Sequence, residues 1–75
     1  MFKVYGGQGC MWCVRATELL AENKLEYFYY DVHSDKEALE VLKKHNLRSI
    51  PQVFTSDGTY IGGFEELKKF VEEQT

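Results

Sequence analysis

The chain has 75 residues with nine Lys or Arg against twelve Asp or Glu, a formal net charge of -3, and is 44% hydrophobic. A chain this short makes one small domain that buries only about 60% of the surface its unfolded form exposes. Its acidic balance disfavours a nucleic-acid partner, no segment approaches the roughly 20 apolar residues of a membrane span, and nothing at the N-terminus reads as a secretion signal.

In chain order, residues 2–6 alternate apolar and polar before Gly6-Gly7 and predict a strand. Gly6, Gly7 and Gly9 predict a loop, and from Met11 the period becomes helical, with Val14, Ala16, Leu19 and Leu20 on one side and Asn23 as the stop. Residues 25–32 are aromatic-rich and predict a second strand. Ser34-Asp35-Lys36-Glu37 has the form of a capping box. It opens a helix with Ala38, Val41, Leu42 and His45 on its apolar face, ending at Asn46.

Residues 51–55 predict a strand that starts with proline, where no ladder donor is lost. Ser56-Asp57-Gly58 is a hairpin turn, and residues 59–61 return from it. After Gly62-Gly63, the residues Phe64, Leu67, Phe70 and Val71 recur at helical spacing. The order β-α-β-α-β-β-α, without linker or repeat, predicts an α/β domain spanning residues 1–75. Its four-stranded mixed sheet has helices on both faces, since a strand–helix–strand start implies a parallel crossover and the late hairpin is antiparallel. Lys43-Lys44 and Lys68-Lys69 each stand beside carboxylates and read as solvated helix faces.

The chemistry-bearing element is Cys10-Met11-Trp12-Cys13, at the entry to the first helix. Two cysteines in a chain without secretory features point to a reducing cytoplasm, where such a pair is reactive or metal-bound. At a helix N-terminus, unpaired amides and the positive end of the dipole favour thiolate over thiol at Cys10. Cys13, one turn on, is then placed to resolve a mixed disulfide formed on Cys10. A structural zinc site needs about four ligands, and His33 and His45 fit no such spacing, so no metal is expected. An inert buried pair is at odds with the glycine loop before Cys10.

Together, Cys10–Cys13 after a short strand, Ser49-Ile50-Pro51-Gln52-Val53-Phe54 and Tyr60-Ile61-Gly62-Gly63-Phe64-Glu65-Glu66 resemble the glutaredoxins over nearly the whole chain. The closest likeness is to the small phage and bacterial members. The resemblance implies a thioredoxin-like fold and a thiol–disulfide oxidoreductase acting on protein disulfides or glutathione mixed disulfides. Glutathione would be its reducing co-substrate, with no tightly bound cofactor. It also implies a cis bond before Pro51, with Ile50 pairing with glutathione's cysteinyl backbone. Gly62, Gly63, Phe64 and Glu65 would receive the γ-glutamyl end, with Arg48 assisting the glycyl carboxylate and Trp12 and Ser49 beside them.

A cytoplasmic monomer (host cytoplasm if phage-encoded) is expected, with ribonucleotide reductase as a client. The sequence departs from the family at Met11, where many members carry proline, and at Gly7, where they often carry lysine; Glu65 and Glu66 replace shorter side chains. Two alternatives stay open: a glutaredoxin-like redoxin reduced by thioredoxin reductase, and a glutathione-ligated [2Fe–2S] module.

Overall fold

Side chains alternate between the two faces of a strand, and in β1 (Phe2–Gly6) this alternation divides the molecule in two. Phe2 and Val4 point to one face and Tyr5 to the other, and each face has its own core. The computed structural model describes residues 1–74. Its elements after β1 are α1 (Met11–Glu22), β2 (Tyr27–Asp31), α2 (Lys36–Lys44), β3 (Gln52–Phe54), β4 (Tyr60–Gly62) and α3 (Phe64–Gln74). Strand order is β2-β1-β3-β4. β1 pairs in parallel with β2, from Phe2 with Tyr27 to Gly6 with Asp31, and antiparallel with β3, from Lys3 with Phe54 to Tyr5 with Gln52. β3 and β4 form the antiparallel hairpin. The mixed sheet expected from the element order is thus present.

One core joins Val4 and Val53 of the sheet to Ala16 and Leu20 of α1 and to Leu67 and Val71 of α3. The other packs Tyr5, Val32 and Phe54 against Ala38 and Leu42 of α2. Helices therefore cover both faces. Each fully buried Leu or Val contributes about 1.5–3 kcal/mol relative to exposure. Aromatic contacts add shape: Tyr5 stacks on Tyr30 at 5.0 Å and meets the edge of Phe54 at 5.4 Å, and Phe2 meets Phe70 at 5.9 Å.

Several local expectations are corrected. The cap of α2 is Asp35, not Ser34: its carboxylate accepts from the amides of Glu37 and Ala38 at 3.0 and 3.2 Å. The reason lies one turn earlier, where Asp31 O accepts from both Ser34 and Asp35 amides and draws Ser34 into the turn leaving β2. The first helix, by contrast, ends at Glu22 with Asn23 as its C-cap, as expected, and the left-handed position after it falls on Lys24 at φ 58°. Bonds from Lys24 N to Ala21 O and from Leu25 N to Leu20 O complete a Schellman motif. Asn46 plays the same part for α2 at φ 58°, but His45 is exposed at the C-cap rather than on the apolar face. Its ring only abuts Phe54, at 5.3 Å. Val14 is 54% exposed, leaving Cys13, Ala16 and Leu20 as the buried residues of α1. β2 and β3 are shorter than the patterns suggested, and β4 is shifted by one residue to Tyr60–Gly62, leaving Thr59 in the hairpin turn. Among the described residues, no helix is long and apolar enough to cross a membrane.

Candidate active site

Cys10 is the N-cap of α1, in extended conformation. Its Sγ accepts from the Cys13 amide at 3.2 Å. Met11 follows in the first helical position, and no acidic residue stands in the first turn to offset the helix's positive end. Cys10 and Cys13 form a disulfide across a Cα–Cα distance of 5.2 Å. The two sulfurs differ sharply in access: Cys10 is partly exposed, whereas Cys13 is 1% exposed. A thiolate at Cys10 would keep the Cys13 amide as donor and the helix end as field.

Cys13 is enclosed from behind. β1 and α1 approach closely because Gly6 has no side chain on the α1 face: a Cβ there would stand 2.7 Å from Cys13 Sγ and 2.5 Å from Tyr29 Oη. Tyr29 donates to Gly7 O at 2.6 Å, tying β2 to the active-site loop. Burial pushes the Tyr29 phenol above its ordinary value. Neither Gly6 nor Tyr29 was singled out from sequence. A glycine ending a strand just before a reactive pair was the available signal for Gly6, and Tyr29 had none.

A groove of about 300 Å³ is lined by Trp12, which stands between the two cysteines in sequence, and by Ser49, Ile50, Pro51, Gly63, Phe64, Glu65 and Glu66. Three separate segments therefore meet there, and seven of the residues expected at the substrate site are among its walls. Arg48 and Gly62 are not: Arg48 is exposed outside the lining, and Gly62 is buried behind it. The Ile50–Pro51 bond is cis. Gln52, nearly buried, donates through Nε2 to Ser49 O and Ser49 Oγ at 3.0 Å each and accepts from the Tyr60 hydroxyl at 2.6 Å. That network holds the groove's middle wall against the sheet. A polar residue within an otherwise apolar strand was its only mark in the sequence.

Trp12 lies between two partners. Phe64 packs on it at 5.3 Å, and the Arg15 guanidinium sits 5.3 Å from its ring centroid. Arg15 thus supports the groove's outer wall. At the head of α3 the turn needs glycine: Gly62 has φ 136°. Gly63 precedes the first helical residue, and its amide donates to Glu66 Oε1 at 2.9 Å. This is half of a capping box. The amide expected to receive an anion is therefore engaged by the chain's own carboxylate. Among the described residues, no cluster of three or more His, Cys, Asp or Glu has metal-site geometry.

Comparison with known proteins places this geometry. The glutaredoxin family model matches residues 2–61. The glutaredoxin of Enterobacteria phage T4 is 33% identical over 85 residues, covering 93% of this chain and 98% of that protein. Among solved structures, the buckwheat glutaredoxin–glutathione complex superposes with a TM-score of 0.81 at 19% identity, over 97% of this chain and 69% of that one. The glutaredoxin-like redoxin of Escherichia coli, described as having a thioredoxin-like activity profile, also gives 0.81 at 19% identity, over 99% and 93%. At that identity the two structures establish the shared fold alone.

Proposed function

Because this chain belongs to the glutaredoxin family and is a thiol–disulfide oxidoreductase working through a Cys10–Cys13 pair, we propose that glutathione is its reductant. The proposed substrates are protein disulfides and glutathione mixed disulfides, met in the cytoplasm by a monomer. The observation that carries this reading is the groove itself. Trp12, from between the two cysteines in sequence, the Ser49–Ile50–Pro51 segment and the Gly63–Phe64–Glu65 turn line one cleft. A peptide-sized thiol laid in it would meet the partly exposed Cys10 and not the buried Cys13.

The exposure difference supports the following roles. The Cys10 thiolate attacks a sulfur of the substrate disulfide, and the departing thiolate takes a proton from solvent. Cys13, deprotonated in turn, attacks Cys10 Sγ and expels the second substrate thiol, so that two electrons have passed to the substrate and the Cys10–Cys13 disulfide forms. Two glutathione molecules then restore the dithiol and leave as glutathione disulfide. A glutathionylated substrate needs only Cys10 if glutathione, rather than Cys13, takes over the second step. Disulfides of ribonucleotide reductase fit the dithiol route as a client.

The test is reduction of a mixed disulfide of glutathione and a small thiol, coupled to glutathione reductase. The expected result is turnover that Cys10→Ser abolishes and Cys13→Ser retains. A Cys13→Ser variant as inactive as Cys10→Ser toward that substrate would count against glutathione as reductant. A second reading, electron supply by thioredoxin reductase, draws on one observation: Glu66 Oε1 already occupies the Gly63 amide and adds negative charge where glutathione's γ-glutamyl carboxylate would dock. Turnover with thioredoxin reductase and none with glutathione would select it.

A further inference from the structure

Among the described residues, Gln52 is the only buried side chain that carries an amide or a charge; its neighbours in β3, Val53 and Phe54, are buried and apolar. Packing alone does not call for an amide there, since an apolar side chain of the same shape costs little in stability. What the amide supplies is direction. Both of its N–H donors end on one residue, at Ser49 O and Ser49 Oγ, and its oxygen accepts from the Tyr60 hydroxyl. We propose that Gln52, oriented by Tyr60, is a positioning residue: it holds the Ser49–Ile50–Pro51 wall of the groove in the shape that receives the peptide of a disulfide substrate. The proposal deepens the reading above and rests on it for the groove as the place where that peptide lies.

The orientation follows from donors and acceptors. Ser49 O is a carbonyl oxygen and only accepts, so the amide nitrogen must face it. The amide oxygen is then turned to β4, where the Tyr60 hydroxyl meets it as a donor at 2.6 Å. Tyr60 is an exposed residue, but its ring abuts Phe54 at 5.2 Å and its hydroxyl reaches across to β3. Burial pushes the Tyr60 phenol above its ordinary value and the Glu66 carboxylate adds to this, so the donor persists through the neutral range. The segment that Gln52 holds lies outside helix and strand over residues 47–51. At its α2 end, Leu47 N donates to Leu42 O, and Leu47 and Ile50 pack partly on the core. Ser49, between them, is held by the amide. Moving Ser49 would strip two donors of a buried group at once, and an unpaired buried donor is costly. The wall is therefore set before a substrate arrives, and binding does not have to order it.

The experiment uses the pre-reduced full chain in single turnover against two probes. One is the mixed disulfide of 2-mercaptoethanol with an uncharged, blocked tripeptide whose central residue is cysteine. The other is bis(2-hydroxyethyl) disulfide, which has no peptide to lay against the wall. Changes in the Cys10 thiol itself affect both and cancel in the ratio of their rate constants. The native chain should favour the peptide probe. Gln52→Met, of similar volume, should lower that preference by about three- to tenfold, the worth of one hydrogen bond, with a melt close to the native one. Tyr60→Phe should lower it by about twofold in the native background and no further in Gln52→Met, because the two side chains act through one amide. A Gln52→Met preference equal to the native one overturns the proposal, whether or not the melt falls. A Tyr60→Phe loss that persists in the double variant overturns the orienting role of Tyr60. A native chain with no preference for the peptide probe overturns the groove reading itself, and the proposal with it.

Discussion

Gly6→Ala puts the close approach of β1 and α1 to a quantitative test. The new methyl would lie 2.7 Å from Cys13 Sγ, 2.5 Å from Tyr29 Oη and 3.0 Å from Tyr29 Cε1. Nonbonded carbon contacts settle at about 3.5–4 Å, so the overlap is about 1 Å on two sides. Neither neighbour yields easily: Cys13 is buried in the first turn of α1, and Tyr29 is held by its bond to Gly7 O. Overpacking of this kind costs about 1–3 kcal/mol, and displacing the phenol adds about 0.5–1.5 kcal/mol. The cost should differ between redox states. In the disulfide, Cys13 Sγ is tied to Cys10, whereas in the dithiol it can turn away. If about 1.4 kcal/mol is relieved on reduction, the reduction potential rises by about 30 mV. Equilibration of both proteins against thiol–disulfide buffers of known poise reads the potential, and thermal melts of each form read the stability. The oxidised variant should lose the larger share, about 4–8 °C for each kcal/mol in a domain this size. Equal destabilisation of the two forms with an unchanged potential would refute the steric account of Gly6.

Further expectations are more local. Glu66→Gln keeps an acceptor for the Gly63 amide but removes a charge from the groove. KM for the glutathione mixed disulfide should fall by about two- to fivefold with little change in the melt, and a raised KM would mean that Glu66 assists binding. Asp35→Ala removes the acceptor for two amides of α2 and should cost about 1 kcal/mol in urea unfolding, whereas Ser34→Ala should cost much less. The reverse order would restore Ser34 as the cap. In the hairpin, the Thr55 hydroxyl holds the Asp57 carboxyl below its ordinary value, with Thr59 acting in the same direction. A depressed folded-state value means that the contribution is complete above the unfolded carboxylate's range and fades as acid protonates the folded group. The Thr59 amide shift should therefore be steady near neutrality and move only in acid, while Asp57→Asn should abolish that titration. A Thr59 shift that titrates near neutrality would contradict it.

Much of this molecule was legible along the chain because its signals are local. The alternation in residues 2–6, the helical recurrence of Leu67 and Val71, the turn at Ser56-Asp57-Gly58 and the placement of Cys10 at a helix entrance each depend on neighbours within one or two turns. Those signals determined the order of elements, the mixed sheet and which sulfur pair is reactive. Where two local devices competed, the reading slipped by a residue: Ser34 and Asp35 are both good caps, and the turn at Asp31 O decided between them. Val14 and His45 were assigned inward by period alone, yet only α1 residues facing the sheet are buried, and the chain turns away at the C-cap of α2.

The tertiary structure alone decided what surrounds the sulfurs. Gly6 and Tyr29 meet Cys13 from two strands, 22 residues separate Tyr29 from the carbonyl it binds, and His33 fills the space above Gly7 from the turn after β2. Glu66 closes on an amide that a motif reading leaves open. Periodicity reports which face of its own element a residue occupies. It carries no information about which distant side chain arrives opposite, because that follows from strand order and register, and these are fixed only when the two cores close on the sheet.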